Sequence, residues 1–196
     1  MMSWKPSQAD GGLHHVTEVA DRVILGFDPG TASTGFGVIS VSGNRLQAVE
    51  YGVVETPPDL PLEQRLEHIH SEVGEILAKY RPTATAIESL FFNVNVRTAL
   101  AVGHARGVTL LACAQIGCDV FEYTPQQIKR AVVGYGKADK NQVMEMVRVL
   151  LGLSETPRPD HAADALGVAI CHANTAGVRE RIARSEAKTR ALRRDR

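Results

Sequence analysis

The stretch ILGFDPGTASTGFGV, residues 24–38, decides the predicted fold of this chain. An apolar strand ends at Asp28, a glycine-containing turn follows at once, and a second apolar strand leaves from Gly35. Glycine suits places where the backbone bends tightly or is closely approached by another group. An isolated Asp-Pro-Gly is a common turn former, and Asp28 would then only accept hydrogen bonds from turn amides. Asp28 becomes a candidate for metal-phosphate chemistry if further acids converge on it.

The bulk composition predicts one globular domain of ordinary size. The chain has 196 residues and a formal net charge of zero, and this length is enough for a single core. We expect a flexible N-terminal extension over 1–20, a folded domain over 21–176 and a basic C-terminal tail over 177–196. Residues 179–196 hold eight Lys or Arg residues and three acids. This tail is expected to be a solvated helix or a disordered arm, with nucleic acid as one possible partner.

The cysteines and the hydropathy pattern bear on the cellular compartment in which the protein works. The three cysteines lack CxxC spacing, so neither a disulfide framework nor a zinc knuckle is predicted. No apolar run reaches the length of a membrane span, and the first 20 residues lack the apolar core of a signal peptide. A cytoplasmic location is therefore expected.

Apolar periodicity predicts an α/β domain with a mixed five-stranded sheet flanked by helices. The first three strand patterns, at 22–28, 35–41 and 45–55, should pair as adjacent antiparallel strands. Two shorter strand patterns follow, at 83–88 and 119–123. Helical patterns are present at 62–80, 96–114, 124–133, 139–151 and from residue 160 onwards.

Acidic residues recur at the ends of the predicted elements. A strand–helix–strand connection would lay the fourth strand parallel to the first, which brings Glu88 to the same sheet edge as Asp28. His161 and Asp164 are three residues apart on a predicted helix, so their side chains emerge on one face. Alternatively, Asp160 and Asp164 are first-turn acids favoured by the helix dipole, and His161 is a surface residue.

Taken together, these acids match the needs of a two-metal phosphodiester site. Two divalent cations about 4 Å apart require several anionic oxygens to hold them. We also expect the glycines after Asp28 to keep side chains away, so that a DNA phosphate can reach the cations.

Residues 23–173 resemble a known family, the RuvC-type Holliday-junction resolvases of the RNase H-like superfamily. The matching segments, in order, are ILGFDPGTASTGFGV, AIESLFF, ALAVGHARGV, VFEYTPQQIKRAVVGYGKADKNQV and DHAADALGVAI. The resemblance implies an RNase H-like fold and an endonuclease that nicks two opposed strands of a four-way junction DNA symmetrically, in recombination and repair. It also implies 5′-phosphate products, a homodimer, magnesium or manganese as cofactor, and RuvA and RuvB as partners. The predicted helix over 96–114 is our candidate for the dimer interface.

The resemblance implies four catalytic metal ligands: Asp28, Glu88, His161 and Asp164. We expect Asp28 to bridge two Mg²⁺ ions, Glu88 and Asp164 to bind separate ions, and His161 to complete the set. Many family members carry a second Asp at the last position, whereas here His161 aligns best and Asp160 precedes it. A nitrogen ligand suits Mn²⁺ better than an all-oxygen site does, so Mn²⁺ should also support activity. The choice between Asp160 and His161 stays open at this stage.

Aromatic and basic residues near the acids are candidates for DNA contact. Phe91 is expected to stack on an unpaired base at the junction centre, and Phe92 to pack in the protein. The basic candidates lie around a predicted glycine-rich loop and a helix start, which suits phosphate binding, although a solvated face is the alternative. They are Lys129, Arg130, Lys137 and Lys140, with Arg97 and Arg106 as weaker candidates.

Two other functions also fit part of this sequence. Sugar kinases, actin and Hsp70-like ATPases also begin with an Asp-x-Gly-Thr turn, here residues 28–31. Those ATPases use two related domains and a second nucleotide motif, for which this chain is too short. A non-catalytic junction-binding module would require the loss of an acid, yet Asp28, Glu88 and Asp164 are all present.

Overall fold

A computed structural model describes residues 22–89 and 96–194, with side chains described over 22–89 and 99–177. Its strands form one five-stranded sheet in the order β3-β2-β1-β4-β5. The strands are β1 Arg22–Asp28, β2 Ser33–Ser42, β3 Arg45–Glu55, β4 Ala84–Glu88 and β5 Val120–Tyr123. The helices are α1 Leu62–Tyr80, α2 Val96–Gln115, α3 Pro125–Val133, α4 Lys140–Leu151 and α5 Asp160–Arg194.

The pairing pattern confirms the predicted mixed sheet. β1, β2 and β3 are antiparallel neighbours, whereas β4 runs parallel to β1 and β5 runs parallel to β4. The element boundaries differ from the predicted ones by at most two residues, and α5 begins at residue 160 as expected. That helix continues beyond residue 176, so it crosses the boundary that we expected between the folded domain and the tail.

Each face of the sheet carries its own hydrophobic core, because side chains alternate between the two faces of a strand. Leu25 and Phe27 of β1 pack with α1 and α2 on one face. Ile24 of the same strand packs with α3, α4 and α5 on the other. Helices on both faces of a sheet form a three-layer α/β domain, as predicted.

Strand register brings the first two acids together. Asp28 shares the α5 face of β1 with Ile24, since it lies an even number of residues away. Ile87 of β4 pairs with Phe27 of β1 in a parallel ladder. Asp28 and Glu88 therefore end neighbouring parallel strands, on the same face and at the same edge of the sheet.

The start of α5 lies unusually close to the sheet because three glycines leave room for it. A Cβ at Gly37 would lie 2.7 Å from the backbone nitrogen of Leu166, and one at Gly26 would lie 2.8 Å from that of Ala169. A Cβ at Gly35 would overlap the carbonyl oxygen of His161. The expected role for these glycines, keeping side chains away from an incoming phosphate, is thus wrong for Gly35 and Gly37. They accommodate a helix.

Both predicted capping boxes are present. Thr124 exchanges hydrogen bonds with Gln127 at the start of α3, and Asp139 does so with Gln142 at the start of α4. These caps fix where both helices begin, and thereby the positions of the lysines that they carry. Among the described residues, no helix is both long and apolar enough to traverse a bilayer.

Replacing Gly37 by Ala should destabilise the protein, because the new methyl group would push α5 away from β2. We expect a loss of about 1–3 kcal/mol in the free energy of unfolding, measured by urea denaturation. Gly74→Ala in α1 is the matched control, since its Cβ would meet open space. That control should gain up to about 1 kcal/mol from helix propensity. Equal stability of the two variants would contradict the packing role.

Candidate active site

The site forms where the first turn of α5 crosses the ends of β1 and β4. His161 Nδ1 lies 2.6 Å from Asp28 Oδ2, which joins α5 to β1 directly. The ligand atoms of Asp28, His161 and Asp164 all lie within 4.8 Å of one another. This spacing is short enough for the three groups to share one cation. His161 and Asp164 therefore project from one face of α5, as predicted, while Leu166 and Ile170 are buried in the core.

Glu88 adjoins this trio. It lines a surface cavity of about 270 Å³ together with Asp164 and two of the predicted basic residues. The full lining is Glu88, Pro125, Ile128, Lys129, Lys140, Val143 and Asp164. The structure thus brings together all four predicted metal ligands around one edge of the sheet.

Asp160 makes ion pairs with Lys140 and Arg158, whereas Asp28 is contacted by His161. The Asp160 carboxylate lies 3.1 Å from Lys140 Nζ and 2.9 Å from Arg158 Nη1. The pKa of Asp160 is lowered, chiefly by its hydrogen bond with Lys140. The geometry therefore favours His161 over Asp160 as the fourth group of the cluster.

Burial and mutual repulsion shape the electrostatics of the acids. Burial, with the charges of Asp28 and Asp164, raises the pKa of Glu88 to about 7, and Lys129 opposes the shift. Burial and the charge of Asp28 also raise the pKa of Asp164. The hydrogen bond to Asp28 raises the pKa of His161. Carboxylates crowded in this way need positive charge, and a divalent cation supplies it.

The donor set fits divalent cations of the Mg²⁺ or Mn²⁺ kind. Carboxylate oxygens suit both ions, and one imidazole among them is compatible with Mn²⁺. The fit rests on three carboxylates that lie close together. Two of them, Glu88 and Asp164, have raised pKa values, so their joint ionisation is unfavourable without added positive charge. Asp28, Glu88, His161 and Asp164 are the groups that would hold the ions.

The predicted basic residues divide into two groups. Lys140 Nζ lies 3.2 Å from Asp164 Oδ2, and Lys129 donates a hydrogen bond to the carbonyl of Ala138 beside the cavity. Arg130 is not brought to the acids, because it lines a separate groove with Gln127 and Asn174. Lys137 is exposed in the loop before α4.

The remaining candidates lie elsewhere or outside the description. Arg106 forms a 2.6 Å ion pair with Glu122, so it ties α2 to β5 away from the acids. Phe91 and Phe92 fall outside the described residues, as does the side chain of Arg97. Sequence reasoning missed Arg158, whose only signal was its place two residues before Asp160.

Comparisons with known proteins identify the family. The family model described as "Crossover junction endodeoxyribonuclease RuvC" matches residues 24–172. A protein of that name from Heliobacterium modesticaldum is 59% identical over 158 residues, which cover 80% of this chain and 98% of the relative. The chain belongs to the RuvC family. RuvC proteins are crossover junction endodeoxyribonucleases, and the family is one of metal-dependent nucleases.

Solved structures agree with this membership in RuvC. The structure of Thermus thermophilus RuvC in complex with a Holliday junction substrate matches with a TM-score of 0.77 at 41% identity, over 80% of this chain and 96% of that one. The yeast mitochondrial Holliday junction resolvase Ydc2 matches with a TM-score of 0.60 at 11% identity, over 80% and 82% of the two chains. The second match supports the fold alone, and the predicted RNase H-like fold is confirmed.

Replacing Glu88 by Gln should stabilise the metal-free protein above pH 7. A carboxyl group whose pKa is raised to about 7 binds its proton more tightly in the folded state, so stability falls as pH rises from about 4.5 to about 7. Gln removes that loss, and we expect a gain of about 1–3 kcal/mol at pH 8 and little at pH 4.5.

Denaturant unfolding in EDTA at both pH values measures this difference. Glu67→Gln, at an exposed position of α1, is the control and should change stability by less than about 0.5 kcal/mol. A Glu88→Gln variant less stable than wild type at pH 8 would show that the carboxylate is not under strain.

Proposed function

We propose that this protein resolves Holliday junctions by nicking two opposed strands in the presence of divalent cations. The observation that carries the proposal is the convergence of Asp28, His161 and Asp164, with ligand atoms within 4.8 Å of one another, next to Glu88. The 59% identity to a RuvC protein and the junction bound by Thermus RuvC support four-way DNA as the substrate. We infer in addition that the products carry 5′-phosphate ends.

Two cations, Mg²⁺ or Mn²⁺, would be held by Asp28, Glu88, His161 and Asp164. When bound, they would supply the Lewis acidity that activates water and stabilises the leaving oxygen. We infer that Asp28, whose carboxylate contacts His161 and whose charge acts on both Glu88 and Asp164, would help to hold both ions. His161 binds only as the neutral imidazole, because a protonated ring has no free nitrogen lone pair.

The lysines of the cavity would bind the substrate's phosphates. Lys140 already lies 3.1–3.2 Å from the carboxylates of Asp160 and Asp164, so its ammonium group is at the site. Lys129 lines the same cavity, and both can orient a phosphodiester against the acids through charge-assisted hydrogen bonds. Phe91, Lys137 and Arg130 stay proposals as DNA contacts.

A synthetic four-way junction tests the function. We expect two symmetric nicks with Mg²⁺ or Mn²⁺, no nicks in EDTA, and no comparable cutting of a linear duplex of the same sequence. The nicks should be sealed by DNA ligase. ATP hydrolysis is assayed in parallel, because turnover of ATP without junction cleavage would favour the ATPase alternative. Junction binding without cleavage would favour the non-catalytic module.

The same assay decides between His161 and Asp160. His161→Ala should lower the single-turnover cleavage rate by about 100-fold or more, because it removes a metal ligand. Asp160→Ala should stay within about threefold of wild type, because its ion pairs with Lys140 and Arg158 are exposed to solvent. Wild-type cleavage by His161→Ala would refute the assignment.

We further propose a homodimer that forms through α2. Leu100 and Leu111 are 59% and 51% exposed and lie three helical turns apart on one face. Gly107 lies between them, and a Cβ added there would meet open space, so a second copy could approach the helix backbone closely at this point. A dimer would place two sites on the two opposed strands of a junction. RuvA and RuvB as partners, and the cytoplasm as the place of action, are inferred from the family resemblance.

The double variant Leu100→Glu/Leu111→Glu should shift the protein from dimer to monomer in sedimentation velocity. Charges placed in an apolar interface are desolvated without partners and oppose association. Val149→Glu on α4 is the control, since Val149 is 55% exposed and lies on another helix. A monomeric wild type, or a dimer that survives the double variant, would argue against this interface.

A further inference from the structure

Hydrogen bonds and a packing contact hold the turn between Asp28 and Gly35 in place. Within the turn, the Thr34 hydroxyl donates a 2.8 Å hydrogen bond to the Gly30 carbonyl and accepts a 3.3 Å one from the Gly30 amide. Thr34 is fully buried. Gly35, which pairs with Asp28 across β1 and β2, is pressed against the carbonyl of His161. The Gly35 contact holds the face of β2 that is turned toward α5, whereas the Thr34 hydrogen bonds brace the turn from within.

Arg65 of α1 holds the opposite side of the turn. Its Nη2 donates a 2.7 Å hydrogen bond to the carbonyl of Thr31, and its Nε donates a 2.8 Å one to the hydroxyl of Thr56. That hydroxyl in turn donates to the same Thr31 carbonyl, and the Thr56 amide donates to the Ala32 carbonyl at 3.1 Å. One backbone oxygen, three residues after Asp28, therefore accepts from two side chains, one on α1 and one in the segment directly after β3.

Arg65 is well suited to set the position of this turn. A guanidinium presents several donors in a rigid plane, so it fixes two acceptors relative to each other in a way that a lysine does not. The position of α1 against the sheet is fixed by packing, because Ile69, Val73 and Leu77 are fully buried there. Arg65 thus connects a rigid helix to the segment that carries Asp28.

We propose that Arg65 is a positioning residue for the metal site, acting through Thr56 and Thr31. It holds the turn so that the Asp28 carboxylate stays aligned with His161 and Asp164. This inference rests on the proposed nuclease function, because it takes Asp28 to be a cation ligand. Groups that orient metal ligands from behind typically change affinity or activity by 10–100-fold when they are removed.

Arg65→Met tests the proposal, because Met keeps much of the aliphatic length and loses the donors. We expect the midpoint of thermal stabilisation by Mn²⁺ to rise about tenfold, and the single-turnover rate on a four-way junction at saturating Mn²⁺ to fall about 10–100-fold. Junction affinity in EDTA should stay within about twofold of wild type. Arg65→Lys should lie between Arg65→Met and wild type, because one ammonium group can serve only part of the network.

Lys79→Met is the matched control. Lys79 lies on the same helix and also makes a 2.7 Å contact, but to Glu50 and with both side chains largely exposed. Its loss should leave the Mn²⁺ midpoint and the cleavage rate within about twofold of wild type.

A double-mutant cycle separates positioning from simple destabilisation. Thr56→Val removes the hydroxyl that shares the Thr31 carbonyl, so Arg65→Met/Thr56→Val should cleave no more than about twofold more slowly than the worse single variant. Independent, multiplicative losses would overturn the shared mechanism. If Arg65→Met does not fold, Arg65→Lys and Thr56→Val carry the same measurements.

The remaining outcomes are also decisive. An unchanged Mn²⁺ midpoint and rate in Arg65→Met would overturn the proposal, even with a lowered melting temperature, since Arg65 would then be structural only. An equal loss of junction affinity in EDTA would also overturn it, because Arg65 would then be a DNA contact. The Mn²⁺ midpoint tests the positioning role without the nuclease assay. Failure of the wild type to cleave would instead count against the proposed function.

Discussion

The close approach of α5 to the glycine-lined face of the sheet is the contact on which the site depends. Gly26, Gly35 and Gly37 have no side chains where the helix backbone passes. Because of this, the imidazole of His161 reaches to 2.6 Å from the carboxylate of Asp28, although 133 residues separate them in the chain. A larger side chain at any of the three positions would lift the helix and separate the two halves of the site. The surface that packs α5 against the sheet is therefore also the surface that forms the site.

The same approach concentrates negative charge. Asp28, Glu88 and Asp164 meet at one sheet edge, and the raised pKa values of Glu88 and Asp164 report how unfavourable their joint ionisation is. Lys129 and Lys140 offset part of this repulsion. A site that is strained when empty gains the most from cations, because their binding relieves the repulsion as well as forming new bonds. In the proposed function, cation binding would therefore recover stability that the crowded carboxylates cost the protein.

Much of this arrangement was predictable from local pattern. The capping boxes at Thr124 and Asp139 and the apolar face of α1 have short-range signals, and the structure has them where they were expected. The placement of Asp28 and Glu88 at one edge and on one face of the sheet follows from side-chain alternation and the parallel register of their strands. By contrast, Lys129 lines the cavity beside the acids and Arg130 lines another groove. Which of the two faces the acids depends on how α3 is rotated against its neighbours. The contact of Arg65 with Thr31 depends on the position of a whole helix.

The sequence by itself determined the elements, their order, the acids at the strand ends and the resemblance to RuvC. Only the tertiary structure places His161 against Asp28 and Asp160 against Lys140 and Arg158. Successive residues on a helix point about 100° apart, so the residue that faces Asp28 depends on the rotation of α5 about its own axis. That rotation is set by the contact with Gly26, Gly35 and Gly37, which directs His161 toward Asp28 and leaves Asp160 with Lys140 and Arg158. It is a property of two packed surfaces, so no single stretch of sequence contains it.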